Sequence, residues 1–186
     1  MEFSKTDILR LIERASAIPE LLSRREEIET LVARFKEVEA MLEAAMLFYR
    51  AKRMDSETKD YLRTSEKFYS TDIGMRNMLV PNHPDDIDGI MENVVFMELK
   101  KRYGTVCTYD VNGREVDFAV WTPRHKAYYQ VCSDVSLPST LKRELAPLRA
   151  IDDNYPKYVV CKGETPYDDV DGIRIIDYDE WVKDPF

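Results

Sequence analysis

Asp117, Gln130 and Cys132 are the first residues in this chain whose types and spacing suggest chemistry. They lie in two runs, REVDFAVW and KAYYQVC, that flank a short TPRH segment. Alternating apolar and polar positions, rich in aromatic and β-branched types, make each run a half-buried strand, and Pro123 belongs in the turn between them. With Thr122 to His125 as the loop, the hairpin sets Asp117 opposite Gln130 and Glu115 opposite Cys132. Strand alternation then puts Glu115, Asp117, Ala119 and Trp121 on one face and Val116, Phe118 and Val120 on the other. A carboxylate, an amide and a thiol are thus expected on one face. Cys132 with His125 would suggest a thiol nucleophile and its base, but no third group orients them, and a structural cysteine is the reading retained. Asp117 either hydrogen-bonds across the hairpin to Gln130 or forms a site with another acid.

That other acid comes from the preceding helix. Asp86 or Asp88 is placed to cap IMENVVFMELKKRY, residues 90–103. Helical spacing sets Glu92 beside Val95, Phe96 and Leu99, and Glu98 beside Met91, Val94 and Val95, so one of the two carboxylates is expected to face the sheet. A carboxylate in such a place is either paired structurally or part of a site.

The remaining elements follow from periodicity. Residues 4–18 read as an amphipathic helix. A second helix over residues 26–49 repeats Ile28, Phe35, Leu42 and Tyr49 every seven residues with Leu31, Val38 and Ala45 between them, a stripe that serves either a dimerising coiled coil or a long core helix. LFYRAKRM and YLRTSEKFYS suggest a two-stranded ribbon, TVCTYDV a strand closed by an Asn112-Gly113 turn, and residues 139–150 a helix with Leu141, Leu145 and Leu148 buried. KYVVC and IRIID are further strands. This order describes an α/β sheet of about five strands.

Composition narrows the function classes. No run approaches the roughly 18 apolar residues of a membrane span. Three widely spaced cysteines without a CxxC pair argue against a zinc site or a disulfide framework, and a cytoplasmic protein is expected. The net charge is −8, but residues 152–186 alone carry four basic and ten acidic side chains, leaving the central region near neutral with basic clusters at Lys100 to Arg102 and at Lys142 and Arg143. The six glycines never take P-loop spacing, so these residues contain no P-loop ATPase site.

Five segments, KFYSTDIGMRN, MENVVFMELKKR, EVDFAV, YYQVC and LKRELAPLRAIDDNYPKYVV, occur in the order found in a C-terminal domain of unknown function carried by many bacterial and archaeal AAA-type ATPases. The chain resembles that domain over about residues 47–182. Glu92 on a helix, Asp117 on a strand and Gln130-Val131-Cys132 on the next strand also resemble the PD-(D/E)XK nuclease superfamily. The resemblance implies a restriction-endonuclease-like mixed sheet over residues 65–186, preceded by a helical region, residues 1–64, like a shortened winged helix. In active superfamily members two carboxylates hold Mg²⁺, which acidifies a water, and a lysine stabilises the phosphate.

Residue by residue, Asp117 keeps one carboxylate, Gln130 replaces the second by a neutral amide, and Cys132 replaces the lysine. Glu92 or Glu115 would have to supply the missing acid, and Lys142 or Arg143 the missing cation and the substrate contacts. The expectation is a catalytically degenerate accessory or regulatory module, with no cofactor, or Mg²⁺ if activity is retained. Its expected partners are nucleic acid, an ATPase or another protein, without a membrane. Two rival expectations are a Mg²⁺-dependent endonuclease and a protein-interaction domain that homodimerises through residues 26–49.

Overall fold

A computed structural model describes residues 25–79, 86–163 and 165–183. The helix expected over residues 4–18 lies outside them. Helix α1 (Arg25–Ala44) stops five residues short of the expected end. Met46 turns the chain with a left-handed φ of 56°, and strand β1 (Phe48–Asp55) begins with two aromatic residues that favour a strand. Tyr49 therefore belongs to the sheet and not to the heptad stripe. Nor is the middle of that stripe core: Leu31, Phe35 and Val38 are 64%, 50% and 51% exposed. The end of α1 is fastened by Arg50, which pairs with Glu43 at 2.5 Å and Glu66 at 3.3 Å.

Strands β2 (Tyr61–Ser70), β3 (Val106–Val111), β4 (Arg114–Trp121), β5 (Lys126–Val131), β6 (Lys157–Cys161), β7 (Asp169–Val170) and β8 (Ile173–Asp177) complete one mixed sheet in the order β2-β1-β3-β4-β5-β6-β8-β7. The described residues form eight strands where about five were expected. The β1–β2 ribbon joins the sheet through parallel pairing of β1 with β3, Arg53 opposite Thr108, and β7 adds a short edge. The boundary drawn between residues 64 and 65 falls inside β2. The Asn112-Gly113 turn forms as expected, both residues with positive φ, and joins Val111 to Arg114. Thr122 and His125 close the next loop, with the Thr122 N–H donating to the His125 carbonyl at 2.8 Å.

Helix α2 (Ile73–Leu79) is capped by Asp72, whose Oδ1 accepts the Met75 N–H at 3.0 Å. Helix α3 (Ile87–Tyr103) covers one face of the sheet, packing Val95, Phe96 and Leu99 against Phe118, Val120 and Tyr129. Helix α4 (Pro138–Arg149) covers the other, with Leu141, Leu145 and Leu148 on Tyr128, Ala119 and Val159. Each fully buried side chain of this size contributes about 1.5–3 kcal/mol, so these two apolar layers hold the sheet's position between the helices. Helix α5 (Tyr178–Lys183) buries Trp181 beside Tyr129. Among the described residues no helix is long and apolar enough to cross a membrane.

Asn93 sets the height of α3 on the sheet. Its Oδ1 accepts the Ser70 N–H and its Nδ2 donates to the Ser70 carbonyl, both at 2.8 Å. Ser70 lies on the edge strand, where these two groups point away from β1, so the amide supplies both partners that a further strand would have offered. Asn93→Ala is expected to lower stability by about 2 kcal/mol, because both groups are left buried and unpaired. A chemical-denaturation midpoint equal to the wild type would show that water replaces the amide without loss.

Asp86 precedes α3 but makes no side-chain cap bond. It pairs with Arg76 instead, at 3.1 Å. Asp88, the other cap candidate, accepts the Ser133 N–H at 2.8 Å and so ties the start of α3 to the end of β5.

Candidate functional site

The β4–β5 register is the expected one from Trp121 opposite Lys126 to Phe118 opposite Tyr129. On the β3 side, however, Cys107 faces Ala119 while Tyr109 faces Val116, so Asp117 and Phe118 together oppose the single residue Thr108. This is a β-bulge, and a bulge re-aims side chains by breaking the period of two. Phe118 packs under α3, whereas Val116, expected beside it, packs in the cluster under α4 with Ala119 and Tyr128. Beyond the bulge, Asp117 and Glu115 share the α3 side with Glu92.

On that side an alternating chain of charges crosses four strands and reaches the helix. Arg53 on β1 is in close ion contact with Asp110 on β3 and lies 3.1 Å from Glu115 on β4. Lys67 on β2 is 2.7 Å from Glu115 and 2.8 Å from Glu92 on α3. The Tyr69 hydroxyl also donates to Glu92, at 2.5 Å, with its ring stacked 4.1 Å from Phe96. Of the two helix carboxylates, then, Glu92 faces the sheet, while Glu98 pairs with Arg102 at 2.8 Å and Lys101 at 3.4 Å.

Asp117 is the buried end of this arrangement. Its Oδ2 accepts the Val131 N–H at 2.8 Å, where β4 and β5 part. Burial, then the neighbouring charge of Glu92, raise its carboxyl to about 8, against the opposing pull of Lys67. Burial alone would lower the Lys67 ammonium, but Glu92, Glu115 and Asp117 outweigh it and hold the ammonium above its ordinary range. Four carboxylates, Asp110, Glu115, Glu92 and Asp117, share two cations, Arg53 and Lys67. The excess of negative charge adds to burial in favouring a proton on Asp117.

Gln130 and Cys132 are not on this face, contrary to the alternation argument. The Gln130 amide donates to Glu144 on α4 at 3.1 Å, and Cys132 packs in the core under α4. Only the edge of Gln130 touches the other residue, its Oε1 accepting the Asp117 backbone N–H at 3.4 Å. The physical cause is the bulge, which turns Asp117 while leaving β5 regular. Burial, and next Glu144, push the Cys132 thiol up, the reverse of an activated nucleophile. His125 stacks on Tyr103 at 4.7 Å. Arg143, expected to bring a cation to Asp117, pairs with Glu144 at 2.7 Å, and Lys142 is exposed on the same helix, over the other face of the sheet.

These positions do not fit a Mg²⁺ centre as arranged. Glu92 and Glu115 share the Lys67 ammonium, and the amide at the second acidic position turns toward α4. Lys67 and Tyr69 are site residues that strand pairing and motif spacing overlooked, as is Glu144, the partner of Gln130 on the opposite face. EKFYS alternates in a way that puts Lys67 and Tyr69 on one side, and Glu144 stands in the Leu141-Leu145-Leu148 stripe, where a carboxylate needs a partner.

A curated protein of Haemophilus influenzae (strain ATCC 51907 / DSM 11121 / KW20 / Rd), described as an uncharacterized protein, is 31% identical over 142 residues. The match covers 76% of this chain and 35% of that protein, so the chain spans about a third of the relative's length. No family model matches the sequence. No solved structure matches it either.

Proposed function

We propose that the chain is a nuclease-like accessory module, related to the domains carried by AAA-type ATPases, that binds protein or nucleic acid without hydrolysing it. The observation that carries this reading is the Lys67 ammonium between Glu92 and Glu115, with Gln130 turned to Glu144. A hydrolytic site of the PD-(D/E)XK kind needs carboxylates open to a divalent cation and a lysine aimed at phosphate. Here the lysine is spent on the carboxylates.

A metal-dependent endonuclease is the second reading. It is favoured by the gathering of Glu92, Glu115 and Asp117 on one side of the sheet, and it requires Lys67 to withdraw. Incubation of the purified chain with Mg²⁺ or Mn²⁺ and plasmid, single-stranded DNA or RNA separates the two. The accessory reading predicts intact substrate; cleavage that disappears in Asp117→Ala establishes the nuclease.

The exposed stripe of Leu31, Phe35 and Val38 suits an interaction role, because apolar residues at this spacing pair helices. The partner proposed is a second copy, since Leu31, Phe35, Val38 and Leu42, spaced alternately four and three residues apart, form the seam of a two-stranded coiled coil. Phe35→Glu is expected to shift a dimer to monomer in analytical ultracentrifugation. A wild type that sediments as a monomer at high concentration removes this part of the proposal.

A further inference from the structure

The face under α4 continues beyond that helix onto β3, β1 and β2, and there it carries a cavity of about 240 Å³ lined by Met54, Lys59, Tyr61, Thr105, Cys107 and Trp121. Its apolar side chains include Met54 and Cys107, both from the core beneath. Its two aromatic rings, Trp121 and Tyr61, come from opposite sides of the β1–β3 pair, and Tyr61 is 47% exposed.

Lysines surround these rings. Lys59 occupies the β1–β2 turn with a left-handed φ of 60°, a backbone that costs a lysine about 1 kcal/mol or more. Its side chain folds back over the sheet, so that the ammonium lies 2.6 Å from the Tyr109 hydroxyl and 5.6 Å from the centre of the Trp121 ring. Lys126 lies over Trp121 at 3.9 Å and over Tyr155 at 4.0 Å. It is not among the cavity's lining residues and is paired with Asp153 at 3.0 Å, so it supports the indole from outside. Lys52, exposed, lies 5.3 Å from the Tyr61 ring.

We propose that this cavity takes an unpaired base of a single-stranded nucleic acid, stacked on Trp121 and Tyr61, with Lys59 and Lys52 holding the adjoining phosphates. Aromatic faces beside lysines are what sequence-tolerant strand binding uses, because every base has a face to stack and every linkage a charge to meet. A duplex keeps its bases stacked and cannot offer one to a concave site of this size. The cavity is on the other face of the sheet from Lys67 and Asp117. The proposal names the nucleic-acid arm of the accessory reading, yet cleavage assays and strand-binding assays can fail independently.

The test is fluorescence anisotropy with labelled oligothymidylate and oligouridylate, competed by duplex DNA and by thymidine monophosphate, using the whole chain. Trp121→Ala and Tyr61→Ala are each expected to weaken strand binding by about five- to a hundredfold, and Trp121→Phe to recover part of the loss. Lys59→Gln is expected to reduce the salt dependence of the affinity by roughly one phosphate contact. Thermal melts check folding; should Trp121→Ala fail to fold, the exposed Tyr61 and Lys59 carry the test. Overturning results are absence of strand binding at low salt, equal affinity for duplex, affinity for the mononucleotide as high as for the strand, or binding untouched by Tyr61→Ala and Lys59→Gln.

Discussion

Lys67→Met should lower the stability of the fold by about 3 kcal/mol at neutral pH, since removing one partner of a largely buried ion cluster leaves the others uncompensated. The methionine fills the aliphatic space of the lysine but removes the charge shared by Glu92 and Glu115, which stand 2.8 and 2.7 Å from it. Both carboxylates keep a second partner, Tyr69 and Arg53 respectively, and Lys67 retains 33% exposure. The expected loss is therefore at the lower end of what fully buried pairs show. Acidification protonates carboxylates and should shrink the difference between variant and wild type. Urea denaturation across a pH series measures both effects. Equal midpoints at neutral pH would mean that water serves the two glutamates as well as Lys67 does.

The second large effect concerns Asp117. Its folded-state carboxyl is raised to about 8 by burial and then by Glu92, from an ordinary value of 3.8. Between these values the folded chain holds a proton that the unfolded chain releases. This contribution to stability is therefore fully present below the unfolded value and is lost as the pH rises through the folded value. Asp117→Asn keeps an acceptor for the Val131 N–H and has no proton to lose. The variant should match the wild type near pH 4 in this respect and exceed it by about 1–3 kcal/mol at pH 8 and above. Parallel profiles for the two proteins would show that Asp117 is ionised throughout and that the cluster holds a further cation.

Much of the fold was legible in the sequence because the signals were local. The Asn112-Gly113 turn, the TPRH loop with its hairpin register, and the Leu141-Leu145-Leu148 stripe each depend on a few adjacent residues. Two features were not local. The joining of β1 to β3 brings together segments separated by α3, and no pattern within LFYRAKRM announces its neighbour. The bulge at Asp117 and Phe118 is a mismatch of β4 against β3, invisible within EVDFAV itself, and it moved Asp117 away from Gln130 and Cys132. The candidate site changed accordingly. Glu92, Glu115 and Asp117 are gathered as the charge argument required, but the cation came from Lys67 in a strand not considered for it, and Arg143 serves Glu144.

We read Lys67 as a built-in counter-ion that serves these carboxylates in place of a divalent metal. Isothermal titration of the purified chain with Mn²⁺ and Mg²⁺ distinguishes the two, with Asp117→Asn and Lys67→Met alongside. No saturable binding to the wild type is expected. Saturable binding to the wild type that is abolished by Asp117→Asn would contradict it.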